Sequence, residues 1–269
     1  MLIDTHCHLT APEFAHQLPD VLDRAREAGV TRLITVAQEP DDARAVLDLV
    51  RQHPNLYAAV GVHPHEAGKR GTADLDAIRA MLRGKGPGSG LAPRIVAVGE
   101  TGLDFYYDFA TPQRQEQVFR TQLEMAQEVA RPVVIHARES ETRVCEILAE
   151  YPRLAGRVVF HCFSAEPTVA RRALDLGCFL SFTGVVTFRK KAGMIRESAR
   201  LVPLDRLMVE TDAPYLSPEP VRKIRPNEPA LMVHIARCLA ELRGEDEAAF
   251  AAATTANAIR FFNLPEGES

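Results

Sequence analysis

The sequence predicts an α/β protein and, within that class, a (β/α)8 TIM barrel. Eight short β-rich runs alternate with longer amphipathic stretches along the whole chain. Most of these runs are continuously apolar, the pattern of parallel strands covered on both faces. The length of 269 residues suits one barrel of about 250, and a hydrophobic content of 46% can fill its core. A doubly wound sheet would show a Gly-rich phosphate turn after its first strand, and "DTHCHL" (4–9) contains no glycine. The expected organisation is one barrel domain over 1–264 and a short C-terminal tail, 265–269.

The predicted strands, in order, are MLIDTH (1–6), RLITVA (32–37), LYAAVGVH (56–63), RIVAVGE (94–100), PVVIH (132–136), RVVFH (157–161), CFLSF (178–182) and RLMVETD (206–212). The first helix, around 12–28, stops at Gly29. The second starts at PDDARAVLDLV, with acids in its first turn, and ends before Pro54. TPQRQEQVFRTQLEMAQEVA is the longest helix, and SETRVCEILAEY opens on a serine cap. GKGPGSGLAP (84–93) is a Gly/Pro-rich loop, too short to link domains.

A formal charge of -4 argues against a protein that coats nucleic acid through bulk charge, while leaving room for a local phosphate site. The amino terminus carries no basic leader, and no run approaches the roughly 20 apolar residues of a membrane span. Five scattered cysteines without a C-x-x-C read as reduced thiols in a cytoplasmic protein. No membrane association and no obligate protein partner are expected.

A (β/α)8 barrel builds its active site from the carboxyl ends of its strands. Those ends carry His6 and His8, then His63, Glu100, His136, His161 and Asp212. Side chains two apart on a strand share a face, so His6 and His8 aim together while Cys7 points away. Four imidazoles and two carboxylates are enough for two divalent ions: His6, His8 and Asp212 on one, His136 and His161 on the other, and Glu100 bridging. Such a pair, about 3.5–4 Å apart, supplies an acidified water and stabilises entering and leaving groups. Nitrogen–oxygen ligation suits zinc or manganese, and a carboxylate-rich variant suits magnesium. Asp212 can accept the water's remaining proton while binding metal. Glu210, two before it, orients a ligand or acts as an acid. Alternation turns Cys7 and Cys162 away as packing groups.

The motifs "DTHCHL", "GVHPH" (61–65), "GETGLDFYYD" (99–108), "PVVIHAR" (132–138), "HCFS" (161–164), "ETDAPYLSP" (210–218) and "NEP" (227–229) together resemble the TatD family of metal-dependent hydrolases. The resemblance runs from residue 3 to the "TTANAIRFF" helix. It implies a (β/α)8 barrel of the metal-dependent hydrolase type, with deoxyribonuclease activity at DNA ends as the best-known reaction. The ligand positions it implies are the same six: His6, His8, Glu100, His136, His161 and Asp212. This chain departs from the family at Ala165, where glycine is usual after "HCFS", and at "VRKIRP" (221–226), where a positive cluster survives.

Arg138, Arg189, Lys190, Lys191, Arg222, Lys223 and Arg225 fall in loops after the fifth, seventh and eighth strands, placed to hold phosphates. Arg138, Arg222 and Arg225 are the candidate substrate contacts, with His65. Tyr106, in "DFYYDF", is positioned to stack a base, and His63 to donate to a phosphate oxygen. The expectation is metal-dependent exonucleolytic attack on single-stranded or frayed DNA ends. A deacylase or amidohydrolase, including one acting on charged transfer RNA, is the alternative enzyme. A non-catalytic metal- or nucleic-acid-binding protein is the alternative from another class.

Overall fold

The computed structural model describes residues 1–190 and 192–266; Lys191 of the basic rim and residues 267–269 of the tail lie outside them. Each predicted run has its strand: β1 (Leu2–Cys7), β2 (Val30–Val36), β3 (Leu56–Val60), β4 (Ile95–Asp104), β5 (Val133–Arg138), β6 (Val158–Phe160), β7 (Phe179–Phe182) and β8 (Leu207–Val209). The α-helices are α1 (Leu18–Glu27), α2 (Pro40–Gln52), α3 (Thr72–Leu82), α4 (Pro112–Val129), α5 (Glu141–Leu148), α6 (Pro167–Asp175), α7 (Gly193–Leu201), α8 (Met232–Arg243) and α9 (Glu247–Phe262). Strand order in the sheet follows chain order from β1 to β8. No helix among the described residues is long and apolar enough to cross a membrane.

The chain forms two compact units, one of Met1–Ile34, Cys162–Leu174 and Phe179–Ser269, the other of Thr35–His161 and Asp175–Cys178. In the first, β7 and β8 pair in parallel, and Cys7 bridges in parallel to Ala213 just past β8. Every residue of β1 is buried, the polar Asp4, Thr5 and His6 included. Pro19 stands at the start of α1, Arg24 and Arg26 lie in its last turn, and Gly29 follows at φ +82°. That is the order of signals a short amphipathic helix needs to start and stop. Asp246 caps α9 by accepting the Ala249 N–H.

In the second unit, β3, β4, β5 and β6 pair in parallel. Two buried glutamines on the inner face of α4 staple the unit together. Gln122 exchanges hydrogen bonds with both backbone groups of Val62, and Gln115 does the same with Asp104.

The structure revises three local expectations. The first helix is a short 3-10 turn (Pro12–Phe14) followed by α1, because Gln17 and Leu18 restart the chain ahead of Pro19. Ser140 does not cap α5 with its hydroxyl, which instead donates to Leu103 O at 2.7 Å and accepts from Arg138 N at 3.1 Å. The fourth strand runs past Glu100 to Asp104, which matters for the site.

Candidate metal centre

In the first unit, His6 near the end of β1 and His8 just past that end aim together. Their Nε2 atoms are 3.2 Å apart, and Asp212 Oδ1 lies 3.8 Å from the first and 3.4 Å from the second. Donors held about 2.0–2.2 Å from a tetrahedral ion sit roughly 3.4 Å from each other, so this spacing fits one metal. The backbone fixes the trio: Asp212 N donates to His6 O and His8 N donates to Ala213 O. Asp212 adopts φ +55°, a left-handed conformation that aspartate tolerates better than most residues.

Beneath the trio lies Asp4, fully buried. It accepts the Thr211 N–H, the Thr211 hydroxyl at 2.5 Å and the His6 N–H. Burial pushes its pKa up to about 7, against the lowering effect of those hydrogen bonds. Glu210 is almost fully buried and accepts the Cys162 N–H at 2.6 Å and the Thr5 hydroxyl at 3.3 Å. It ties the segment after β6 to β1, a positioning task. Neither expected packing thiol joins the trio: Cys7 donates to Ile34 O, and the Cys162 sulfur meets the Thr183 hydroxyl.

In the second unit, Glu100 gathers imidazoles. Its Oε1 lies 2.9 Å from His136 Nδ1, 2.9 Å from His161 Nε2 and 3.5 Å from His63 Nε2. The ligand atoms of Glu100, His136 and His161 all fall within 4.8 Å of one another, a set that can hold an ion. Glu100 owes its aim to a register shift in β4 between Val98 and Thr101, a bulge of the sort that redirects side chains beside sites. Gly102 is required next door: at φ +140°, a Cβ there would sit 2.0 Å from His136 O.

Asp104 closes this cluster, and the sequence reading missed it. Its Oδ2 is 3.0 Å from His136 Nε2 and 2.8 Å from His65 Nε2, while Oδ1 accepts the N–H groups of Tyr106 and Tyr107. Burial pushes the Asp104 pKa up, but the His136, His65 and Tyr107 hydrogen bonds more than reverse this and hold it well below the carboxylate range. When Asp104 takes the Nε2–H of His136, Nδ1 is the nitrogen left to offer a lone pair to a metal. This is the carboxylate–histidine support common around ligand imidazoles. The "GLD" of the motif is the available signal, and it lies beyond the strand end predicted at Glu100.

His63 is buried and its pKa is lowered to about 4, chiefly by burial, so it is neutral at pH 7. Its Nδ1 accepts the His65 N–H, which assigns the proton to Nε2 and makes that nitrogen a donor. His65 is brought to the cluster through Asp104. The Arg138 guanidinium stacks 3.9 Å from the Tyr106 ring centroid and 4.9 Å from that of Tyr107, and Tyr106 is 53% exposed. Back in the first unit, Arg222 stacks on Phe188 at 3.7 Å, and Arg225 lines the same cleft.

Residues 3–263 match the family model described as TatD related DNase. The chain belongs to the TatD family. It is 36% identical over 267 residues to the 3'-5' ssDNA/RNA exonuclease TatD of Erwinia tasmaniensis, covering 98% of this chain and all of that relative. It is 35% identical to the uncharacterized metal-dependent hydrolase YabD of Bacillus subtilis, again over 98% and 100%. The solved TatD homologue YJJV of Escherichia coli K12 superposes with a TM-score of 0.90 at 32% identity, covering 98% of each chain. The fold is therefore the (β/α)8 barrel of TatD hydrolases, and its His/Glu clusters are of a kind that can bind metal.

Proposed function

We propose that this TatD-family chain is a divalent-metal-dependent exonuclease, acting on the ends of single-stranded or frayed DNA. The observation that carries the reading is the convergence of imidazoles on Glu100, beside a stacked Arg138 with its guanidinium N–H groups directed to no carboxylate among the described residues. Relatives named as 3'-5' ssDNA/RNA exonucleases support release from the 3' end and extension to RNA. Five cysteines with no disulfide among the described residues support a cytoplasmic setting. Residues 1–264 act as one catalytic domain.

Two ions, magnesium, manganese or zinc, would be held by His6, His8 and Asp212 and by His136 and His161, with Glu100 shared, since barrel strand ends open on one mouth. Bound there, they supply Lewis acidity and lower the pKa of water from about 15.7 towards 7. Asp212 takes the proton of the attacking water. His63, neutral and protonated at Nε2, donates a hydrogen bond to a phosphoryl oxygen as charge builds there. Asp104 orients His136 and starts the aromatic loop in which Tyr106 stacks a base, worth about 1–3 kcal/mol. Arg138, Arg222 and Arg225 hold neighbouring phosphates, and His65 lines the entry.

The test is nucleotide release from end-labelled single-stranded DNA by chelated protein reloaded with each metal, with Asp212→Asn alongside. Metal-dependent release that falls at least about a thousandfold in Asp212→Asn is expected, a barrier rise of about 4 kcal/mol. No release with any metal, from protein carrying two ions, would move the assignment to an ester or amide hydrolase.

A further inference from the structure

The first unit carries a cleft of about 520 Å³, within the 300–1,000 Å³ typical of small-ligand sites. It begins where the His6–His8–Asp212 trio ends: Pro214 and Tyr215 line it, and the Tyr215 ring stands 6.1 Å from that of His8. Its floor is fixed. Asn227 donates to Thr211 O and Tyr215 O, and Ser217 donates to Ile224 O. Tyr215 brings an aromatic ring to its wall, and Arg222, stacked on Phe188, and Arg225 bring positive charge.

One wall residue does not belong in a cleft for a polyanion. Glu13 lines it from the 3-10 turn after β1, a turn pinned by fully buried Phe14 and by Gln17 donating to Glu13 O. The Glu13 carboxylate has no hydrogen bond or ion pair among the described residues, despite two arginines in the same cleft. A carboxylate there repels phosphate, so a bound nucleotide must turn its phosphate to the arginines and an N–H edge to Glu13. Guanine alone offers two adjacent donors, N1–H and N2–H2, matching both carboxylate oxygens. Adenine and cytosine pair a single amine with an acceptor, and thymine flanks its N3–H with two carbonyls.

We propose that this cleft is a nucleobase subsite in which Glu13 selects guanine. The inference rests on the exonuclease reading and adds base preference to it. The test measures calorimetric binding of dGMP and dTMP to metal-loaded protein, and release rates from oligonucleotides differing only in the terminal base. Wild type is expected to favour guanine about tenfold in both, the lower end for a bidentate contact because Glu13 is exposed. Glu13→Gln, which is isosteric, should bring the ratio within about twofold of unity, while Phe188→Ala, which removes the ring that holds Arg222, weakens both nucleotides alike. Equal binding of dGMP and dTMP by wild type, or an unchanged ratio in Glu13→Gln, overturns the subsite. Nucleotide release without base preference overturns it while leaving the exonuclease standing. Glu13-dependent guanine binding without release from any strand upholds the subsite and sinks the exonuclease.

Discussion

The two candidate ligand clusters are held in different ways. In the second unit, Asp104 reaches a ligand directly: it bonds the His136 ring and, through its other oxygen, the backbone of the aromatic loop. In the first, Asp4 bonds the backbone and a hydroxyl. It holds the backbone N–H of His6 and both the N–H and hydroxyl of Thr211, the residue before Asp212. One carboxylate tunes a ring, and the other fixes the chain that carries the rings. Their ionisation follows suit, with Asp104 well below the ordinary range and Asp4 raised to about 7 by burial. A ligand on a regular strand beside a bulge needs its ring oriented. A ligand pair meeting a left-handed turn at Asp212 needs its backbone locked.

The largest expected effect ignores that difference. Glu100→Ala should lower metal content at both clusters and cut activity on the order of a thousandfold. Removing a buried charge shared by several partners costs about 3–5 kcal/mol. Metal analysis giving the wild-type content would remove Glu100 from its shared role.

A paired substitution then separates the supports. Asp104→Asn should weaken metal binding about 10- to 100-fold, because an amide cannot accept from both imidazoles while still accepting from the loop. Its melting temperature should move little. Asp4→Ala should do the reverse, lowering stability by roughly 2–4 kcal/mol through three unsatisfied buried donors. Chelated and metal-loaded melts, read beside metal affinity, check both. If both variants lost stability equally and neither lost affinity, the distinction between ring and backbone support would collapse.

The sequence made the candidate ligands legible for a reason the supports do not share. His6, His8, His136 and His161 each interrupt or end a continuous apolar run, and a polar group in such a run stands out against a barrel core. Asp104 lay beyond the predicted end of its strand. Only the bulge at Val98–Thr101 and the freedom of Gly102 let β4 continue to it. Asp4 carries no local signal of its role, since its partner Thr211 is 207 residues away. The Glu13 cleft was hidden for the same cause, its walls coming from positions 13, 188, 215, 222 and 225. Strand ends can be read locally, whereas loop walls need the fold.

The smallest expected effect tests the register of β1, on which the first cluster depends. Cys7 is fully buried between His6 and His8 in the chain, with its sulfur on Ile34 O. Burial, followed by the nearby charges of Asp4, Asp212 and Glu210, pushes its thiol pKa well up. Metal ligation by cysteine requires the thiolate, so this thiol is a poor ligand both by direction and by protonation. Cys7→Ser should therefore leave metal content unchanged and cost about 1–2 kcal/mol for placing a hydroxyl in an apolar site. The serine can still donate to Ile34 O, which keeps that cost low. Loss of an ion from folded Cys7→Ser would instead make sulfur a ligand, and His6 and His8 could not then hold the positions that alternation along β1 assigns them.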